Sequence, residues 1–360
     1  MTFFRKISLI QFRNYASQSF YFNKKIVSIC GANGSGKTNL LDAIYYLCFT
    51  KSSLSKPDAK SAMHGTQGFR IDGTIELQNE EHQLTCILRE TGKKEFYVDE
   101  EAVKKFSTHI GRFPCVIIEP DDISLITGAS EERRRFLDTL LSQLDSEYLQ
   151  QLINYHRILL QRNSCLKNMF EQQMNDNDLL DVLDEQLADC GQFIFSKRKQ
   201  FLETLIPLII QQYEAIANKD ENITIHYQSQ LLEKPLLELL TTNRQRDLYA
   251  QRTMCGIHKD DFILLMDSEP FRQVASQGQK KSLLFALKFA EFFAIQKIKK
   301  QSPILLLDDV FEKLDEERLM NLMQKVCNET NAQVFITDTH KARFDEAFSQ
   351  LKLDYQLIEL

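Results

Sequence analysis

The chain has 360 residues, 43% of them apolar, and its 44 basic and 50 acidic side chains give a formal charge of −6. This length allows two or three domains or subdomains with buried cores. The net acidity excludes a uniformly basic protein, so any contact with a polyanion depends on local basic patches. No segment approaches the ~18 consecutive apolar residues of a membrane-spanning helix.

The eight cysteines are scattered along the chain without a C-x-x-C pair. This spacing is typical of reduced, mostly buried thiols and not of a disulfide framework or a zinc site. The first residues, Met-Thr-Phe-Phe-Arg-Lys, lead into an alternating strand pattern and not into a signal peptide. We therefore expect a soluble, cytoplasmic protein.

Residues 1–29 predict three short strands, the third of which ends in a glycine-rich segment. Residues 31–38, Gly-Ala-Asn-Gly-Ser-Gly-Lys-Thr, fit the pattern G-x-x-x-x-G-K-[ST], and a helical pattern follows at once. Backbone N–H groups of such a loop cradle phosphate oxygens, Lys37 can reach the β- and γ-phosphates, and the Thr38 hydroxyl can bind Mg²⁺. The alternative is a glycine-rich turn that binds nothing, but the order strand, loop, helix favours a nucleotide site.

Residues 69–99 carry short alternating runs separated by polar turns, which predicts an antiparallel sheet beside the P-loop. A buried strand at 115–118 ends in Glu-Pro-Asp-Asp at 119–122. Those acidic residues suit a nucleotide-sensing loop or a plain solvated turn, and the pattern leaves both interpretations open.

Residues 131–217 have a helical character. Apolar residues recur at alternating steps of three and four on both sides of a polar break at 172–178, which predicts an antiparallel helical hairpin. The predicted seam of the first helix includes Leu149, His156 and Asn163, whose polar members would fix the register of packed helices. Pro207 is expected to kink or restart the second helix.

From about residue 222 strands return, at 223–227, 262–266, 303–307 and 333–337, together with a long helix at 280–300. Strand–helix alternation around a P-loop predicts a mostly parallel α/β sheet into which the hairpin is inserted. The expected order is an N-terminal head segment at 1–130, a helical arm at 131–221 and a C-terminal head segment at 222–360.

Two adjacent carboxylates end the apolar strand at 303–307. Asp308 is expected to hold Mg²⁺ opposite Thr38, and Asp309, which points in another direction, to polarise the attacking water as a general base. An isolated Asp-Asp pair could also cap a helix, but its combination with a P-loop favours the catalytic interpretation.

Residues 276–279, Ser-Gln-Gly-Gln, precede the long helix and offer a hydroxyl, N–H groups and a helix N-terminus to an anion. Simple helix capping would explain the same residues. Because the P-loop already holds nucleotide in its own subunit, this second phosphate-seeking terminus suits the nucleotide of a partner copy.

Taken together, these elements resemble the ABC-type ATPase heads of the SMC-like superfamily, and more closely the RecF family of bacterial DNA replication and repair proteins. The resemblance covers nearly the whole chain, and residues 133–138, Arg-Arg-Arg-Phe-Leu-Asp, are its most specific part. The segments that carry it lie at 12–15, 31–44, 119–123, 133–138, 256–261, 276–279 and 306–310.

The resemblance implies catalytic roles for Lys37, Asp309 and His340 and a Mg²⁺ site at Thr38 and Asp308. Asp309 stands where most ABC ATPases have Glu, which fits weak, slow ATP hydrolysis. The residues implied in binding ATP are Gly31, Asn33, Gly34, Ser35, Gly36, Lys37, Thr38, Asn39 and Arg13, with Ser276, Gly278 and Gln279 acting across a dimer.

A dimer-contacting loop is implied at Asp315, although Glu312 and Lys313 depart from the family's usual Ser-Glu. Residues 51–54 also lack the family's common Ser-Phe-Arg. By resemblance, the protein would dimerise on ATP, clamp duplex DNA at single-strand/double-strand junctions, and work with RecR and, indirectly, RecO and RecA. The candidates for DNA backbone contact are Lys104, Lys105, Arg133, Arg134, Lys197, Arg198 and Lys199. The alternative is that these are ordinary solvated charges, or, for the three arginines at 133–135, structural partners of Glu131 and Glu132.

Three alternatives stay open at this point. A transporter ATPase subunit would share the P-loop and the signature, but would need a surface for a permease. A P-loop GTPase is suggested by Asn-Lys-Asp-Glu at 218–221, although its fourth residue is not Asp and no strand precedes it. The third alternative is an ATP-sensing interaction module that does not hydrolyse ATP.

Overall fold

The computed structural model describes residues 2–54, 57–172, 177–218, 221–309 and 331–360, together with residues 321, 324 and 327. The chain divides into two compact units, each built from segments that are distant in sequence. The head unit comprises Met1–Asp122, Gln211–Lys219 and Ser276–Leu360, and the arm unit comprises Ile123–Ile210 and Asp220–Ala275.

The strands within the described ranges are β1 (Thr2–Phe12), β2 (Tyr15–Tyr21), β3 (Ile26–Cys30), β4 (Phe69–Leu77), β5 (Glu80–Leu88), β6 (Lys94–Val98), β7 (Glu101–Ala102), β8 (Cys115–Ile118), β9 (Ile223–Gln228), β10 (Asp261–Met266), β11 (Glu269–Pro270), β12 (Ile304–Leu307), β13 (Val334–Asp338) and β14 (Tyr355–Glu359). The α-helices there are α1 (Lys37–Phe49), α2 (Ser124–Thr127), α3 (Ser130–Leu144), α4 (Ser146–Gln172), α5 (Asn177–Ala217), α6 (Leu236–Ala250), α7 (Phe271–Val274), α8 (Gln277–Lys299) and α9 (Lys341–Leu351).

A parallel sheet organises the head unit. Its strand order is β14-β3-β13-β12-β8, and all four neighbouring pairs run parallel. Strands β3, β8, β12 and β13 are buried along their whole length, which is the pattern of parallel strands covered on both faces. The residues that follow these strands therefore meet at one edge of the sheet.

Helix α1 follows the P-loop and is almost entirely buried. A helix that is apolar on nearly every side needs partners all round. Helix α1 has them, because it contacts β8 and β13 of the parallel sheet and β4 and β5 of a second sheet.

The second sheet of the head unit is antiparallel, with the order β2-β1-β4-β5-β6-β7. The antiparallel sheet predicted from residues 69–99 is therefore present, and the first two strands of the chain extend it. The Gln333 side chain links the two sheets, since its amide accepts from Phe4 N at 2.6 Å and donates to Phe4 O at 3.0 Å.

The arm unit contains the predicted helical hairpin. Arg162 of α4 pairs with Asp184 of α5, while Lys197 of α5 pairs with Asp145, which directly precedes α4. Early residues of one helix thus lie beside late residues of the other, so the two helices run antiparallel. Helix α5 continues through Pro207 as one element, so the restart expected there does not occur.

The boundaries of the arm unit differ from the predicted arm at 131–221. The arm unit also includes residues 222–275, which the sequence analysis assigns to the head. The reason is strand pairing, because β9, β10 and β11 form a separate three-stranded sheet. Within the described ranges no helix is both long and apolar enough to cross a membrane.

Candidate nucleotide-binding site

The loop between β3 and α1 adopts a conformation that its glycines permit. Gly34 and Gly36 have φ of +81° and +114°, in a region that residues with a Cβ rarely adopt. A Cβ on Gly36 would also lie 2.6 Å from Asn14 Nδ2 and 2.7 Å from the Tyr15 hydroxyl. Position 36 therefore has room for no side chain.

The turn between β1 and β2 braces this loop. Asn14 Nδ2 donates to Ser35 O at 2.9 Å, and the Tyr15 hydroxyl donates to Gly36 O at 3.0 Å. Asn39 Nδ2 in turn donates to Asn14 Oδ1 at 2.8 Å. The turn thus fixes the loop from outside, a role that the sequence analysis did not assign to Asn14 or Tyr15.

Arg13 anchors the same turn to α1. Its Nη2 donates to Asp42 Oδ2 and to Ser52 Oγ, each at 2.8 Å. Asp42 is fully buried, so this charge-assisted pair holds the turn firmly. A direct contact of Arg13 with nucleotide stays a prediction.

The Lys37 ammonium lies within the curl of the loop. Lys37 Nζ donates to Gly31 O at 2.8 Å and to Ala32 O at 3.2 Å, and the side chain is buried. A positive charge held here, beside the N-terminus of α1, creates an anion-binding environment. This geometry fits the phosphate role predicted for Lys37.

Thr38 and Asp308 come together although they are 270 residues apart. Thr38 Oγ1 donates to Asp308 Oδ2 at 2.9 Å, with Oδ1 at 3.1 Å, and Asp308 is 3% exposed. The Thr38 hydroxyl proton faces the carboxylate, so its lone pairs can face a cation. A hydroxyl and a carboxylate beside a phosphate loop are the hard oxygen ligands that Mg²⁺ prefers, so the residues present fit that ion.

Asp309 is separated from its neighbour by backbone conformation. Its φ is +48°, which turns the chain sharply after Asp308. Its main-chain N–H donates to Thr337 Oγ1 at 2.9 Å, and Thr337 Oγ1 itself donates to Asp308 Oδ1 at 2.6 Å. The two carboxylates can therefore serve different functions, and the buried Thr337 is a site residue that the sequence analysis missed.

His340 begins the segment that leads into α9, at the same edge of the sheet. Its side chain is exposed, and its main-chain N–H donates to Asp338 Oδ1 at 2.7 Å. Asp338 is buried and also pairs with Arg343 at 3.2 Å. The catalytic role of His340 stays a prediction.

The acidic loop after β8 is not a plain solvated turn. Glu119 Oε1 accepts from Ser53 Oγ at 2.7 Å, and burial raises the pKa of Glu119 to about 7. Asp122 pairs with the buried Lys288 of α8 at 3.1 Å. The loop therefore connects the segment after α1 with α8, within the head unit.

Ser276 caps α8 in a capping box. Gln279 N donates to Ser276 Oγ at 3.2 Å, and Ser276 N donates to Gln279 Oε1 at 2.7 Å. Although Ser276 caps the helix, it remains exposed to solvent. The arrangement is compatible with both interpretations of residues 276–279.

Several basic candidates for DNA contact have internal partners in the arm unit. Arg133 pairs with Asp261 at 2.7 Å, and Arg198, which is 1% exposed, pairs with Asp138 at 2.7 Å and with Asp260 at 3.0 Å. A fully buried guanidinium cannot reach a DNA backbone, so the assignment of Arg198 is wrong, and Arg133 is likewise committed to the fold.

The remaining candidates divide by exposure. Arg134 donates to Asp260 O at 2.6 Å, and Lys197 pairs with Asp145 at 2.7 Å, so each is partly engaged. Lys104, Lys105 and Lys199 are exposed. The implied dimer residue Asp315, and the departures Glu312 and Lys313, lie outside the described residues.

Comparison with known proteins identifies the family. The family model described as the RecF/RecN/SMC N terminal domain matches residues 3–356. The DNA replication and repair protein RecF of Flavobacterium johnsoniae is 42% identical over 99% of both chains, and that of Parabacteroides distasonis is 38% identical over 99% of this chain and 96% of its own. The chain belongs to the RecF family.

Solved structures agree with this membership. The recombination mediator protein RecF in the RecFOR pathway, solved as RecF-ATP and as RecF-ATPrS, matches with a TM-score of 0.87 and 30% identity, over 95% of this chain and 93% of that one. An Smc head domain from Pyrococcus furiosus shares the fold, with a TM-score of 0.54 and 15% identity over 96% of this chain and 92% of that one. The predicted fold class, an ABC-type head split in sequence with an antiparallel sheet and a helical arm, is confirmed. Membership in the RecF family favours a DNA replication and repair protein over the transporter and GTPase alternatives.

Proposed function

We propose that this RecF-family chain is an ATP-dependent DNA clamp of recombinational repair and replication restart. It dimerises when both subunits hold ATP, encloses duplex DNA at single-strand/double-strand junctions, and is released by slow hydrolysis. RecR would be its direct partner, with RecO and RecA acting in the same pathway at gapped DNA. The observation that carries the proposal is the contact of Thr38 with Asp308 beside the P-loop.

The binding step follows from the loop. Main-chain N–H groups and the N-terminus of α1 face the phosphates, and the Lys37 ammonium exchanges its contacts with Gly31 O and Ala32 O for phosphate oxygens. Thr38 and Asp308 would hold Mg²⁺, which would neutralise negative charge on the phosphates. The shared parallel edge of the sheet brings these groups together.

The hydrolytic step is assigned to Asp309. Its carboxylate would accept the proton of a water that attacks the γ-phosphorus, while the bond from that phosphorus to the bridging oxygen breaks and ADP leaves. Lys37 would stabilise the charge on the phosphoryl oxygens. An Asp side chain is one methylene shorter than the Glu of most ABC ATPases, so it holds that water less closely. Slow turnover suits a clamp that must persist on DNA before release.

The dimer step is assigned to the start of α8. Ser276 is exposed there, and the N-terminus of a long helix attracts an anion. Its target would be the γ-phosphate held by the partner copy, so that ATP, and not ADP, joins two subunits. Nucleotide and DNA would then strengthen each other's binding by the same factor.

The deciding experiment measures solution mass without nucleotide, with ADP and with ATP–Mg²⁺, each with and without a short duplex. Wild type is compared with Ser276→Arg, and with Ser146→Arg as a control at another exposed serine that begins a helix. We expect a dimer only with ATP, lost in Ser276→Arg and retained in the control.

A monomer under all conditions, or a dimer indifferent to nucleotide, would remove the clamp. Phosphate release by Asp309→Asn addresses hydrolysis separately. If that variant releases phosphate as fast as wild type, Asp309 is not the base, and an ATP-sensing module that does not use this residue becomes the better description.

A further inference from the structure

Thr337 occupies the position between the two halves of the candidate site. It belongs to β13, which lies between the P-loop strand β3 and the Asp308 strand β12. Thr337 pairs with Ile29 of β3, and the preceding Ile336 pairs with Leu307 of β12. The side chain is completely buried, so its contacts are with protein groups of the head unit.

The hydroxyl of Thr337 has a defined orientation. Its proton goes to Asp308 Oδ1 at 2.6 Å, because the second neighbour, Asp309 N–H at 2.9 Å, is itself a donor and must face a lone pair. One hydroxyl thus fixes the rotamer of the first carboxylate and the backbone of the second.

The consequences for the two aspartates differ. With Thr337 on one side and Thr38 on the other, Asp308 is held by two hydroxyl donors on separate elements. Asp309 has a left-handed φ of +48°, a conformation that is unfavourable for a residue with a Cβ and persists only when the surroundings enforce it. The hydrogen bond from its N–H to Thr337 is one such enforcement.

We propose that Thr337 is a positioning residue that tunes cation binding and hydrolysis through Asp308 and Asp309. This inference rests on the proposed ATPase function. Outer partners of metal ligands typically change metal affinity or activity by ~10–100-fold when they are removed. Contacts of the P-loop with the phosphates involve other atoms and should be independent of Thr337.

The test compares Thr337→Val, which keeps the shape but removes the hydroxyl, with Thr337→Ser, which keeps the hydroxyl. Thr85→Val is a matched control, since Thr85 Oγ1 donates to Asp72 Oδ1 at 2.7 Å in the antiparallel sheet, remote in sequence from the site. Affinity for a fluorescent ATP analogue is measured with EDTA and across a Mg²⁺ titration, followed by phosphate release.

For Thr337→Val we expect an unchanged affinity in EDTA, a Mg²⁺ midpoint raised roughly 10-fold, and a kcat lowered roughly 10–100-fold. Thr337→Ser should restore both values to within about threefold, and Thr85→Val should shift neither. Circular dichroism checks folding, and Thr337→Cys, a weak donor of similar size, replaces the valine variant if that one does not fold.

A Mg²⁺ midpoint equal to wild type in the valine variant would overturn the proposal, as would a serine variant that fails equally. A wild-type protein that binds nucleotide without hydrolysing it would contradict the proposed hydrolysis but leave the Mg²⁺ titration decisive for Thr337. A wild-type protein that binds no nucleotide would overturn both.

Discussion

Buried charge is organised differently in the two units. In the arm unit, buried carboxylates lie against guanidinium groups, as Asp184 and Asp247 do with Arg162, at 2.5 and 2.7 Å. The head unit has such pairs as well, for example Arg13 with Asp42, but its site carboxylates Asp308 and Glu119 accept hydrogen bonds from hydroxyls. Guanidinium pairs keep their charge at any ordinary pH, whereas hydroxyls can turn toward a ligand. The guanidinium pairs of both units fix the fold, whereas the two site carboxylates of the head unit can take part in ligand chemistry.

The largest expected effect is that of Arg198→Met, which tests whether buried ion pairs stabilise the arm unit. Removing the guanidinium leaves Asp138 and Asp260 without their shared buried partner, which should lower the free energy of unfolding by about 3–5 kcal/mol. Urea denaturation measures it, with the adjacent exposed Lys199→Met as the control, expected within ~0.5 kcal/mol of wild type. A loss below about 1 kcal/mol in Arg198→Met would mean that this pair does not hold the arm unit together.

In the head unit the corresponding substitution should affect ligand and not fold. Lys37→Met would remove the proposed charge-assisted contact with phosphate, worth about 2–3 kcal/mol, so ATP affinity should fall roughly 30- to 150-fold. Titration with a fluorescent ATP analogue measures this, and thermal unfolding should change little. The exposed Lys93→Met controls for loss of a positive charge. Equal affinities in all three proteins would remove Lys37 from the site.

The next prediction concerns two buried glutamates of the head unit and the pH dependence of stability that they cause. Burial raises the pKa of Glu119 and of Glu291 to about 7, above the value near 4.5 of an exposed Glu. The folded protein then binds more protons than the unfolded chain between these values, so stability should fall as pH rises from about 4.5 to 7. Glu119→Gln should remove a part of this fall on the order of 2 kcal/mol. Urea denaturation at pH 5 and pH 8 measures it, and an unchanged difference would contradict the raised pKa.

The smallest expected effect concerns DNA. With Arg133 and Arg198 committed to the fold, exposed Lys104 and Lys105 are the better candidates for backbone contact. Changing both to Gln should weaken duplex binding several-fold and lower the salt slope of log K by up to about 2. Lys93→Gln is a control for net charge. If the affinity of the wild-type protein for duplex DNA did not depend on salt concentration, contact with the DNA backbone would be excluded.

Sequence patterns predicted the elements that depend on short stretches of the chain. The P-loop, the strand that ends in Asp308 and the antiparallel sheet follow from motif and period over short windows. Their meeting at one edge also follows, because parallel strands place their carboxyl ends together. Thr337 was not predicted because its role depends on a contact with Asp308, 29 residues away in sequence, that no periodic pattern indicates.

The hairpin seam shows the other limit. His156 and Asn163 were predicted on the seam, but His156 is exposed and the buried positions include Tyr155 and Arg162. An arginine counts as a surface residue in any hydropathy pattern, yet here Asp184 and Asp247 neutralise it inside the unit. At these two positions the buried residue therefore precedes the predicted one. The strand pairing that places residues 222–275 in the arm unit is likewise a long-range feature that local patterns do not record.

The parallel sheet has a consequence for how the chain is made. The P-loop strand β3 lies between β13 and β14, whose residues are synthesised about three hundred positions later. Translation proceeds from the N-terminus, so β3 is synthesised long before the two strands that pair with it. The three strands of the arm unit, in contrast, are synthesised close together. On the ribosome, the part that would hold ATP acquires its structure last.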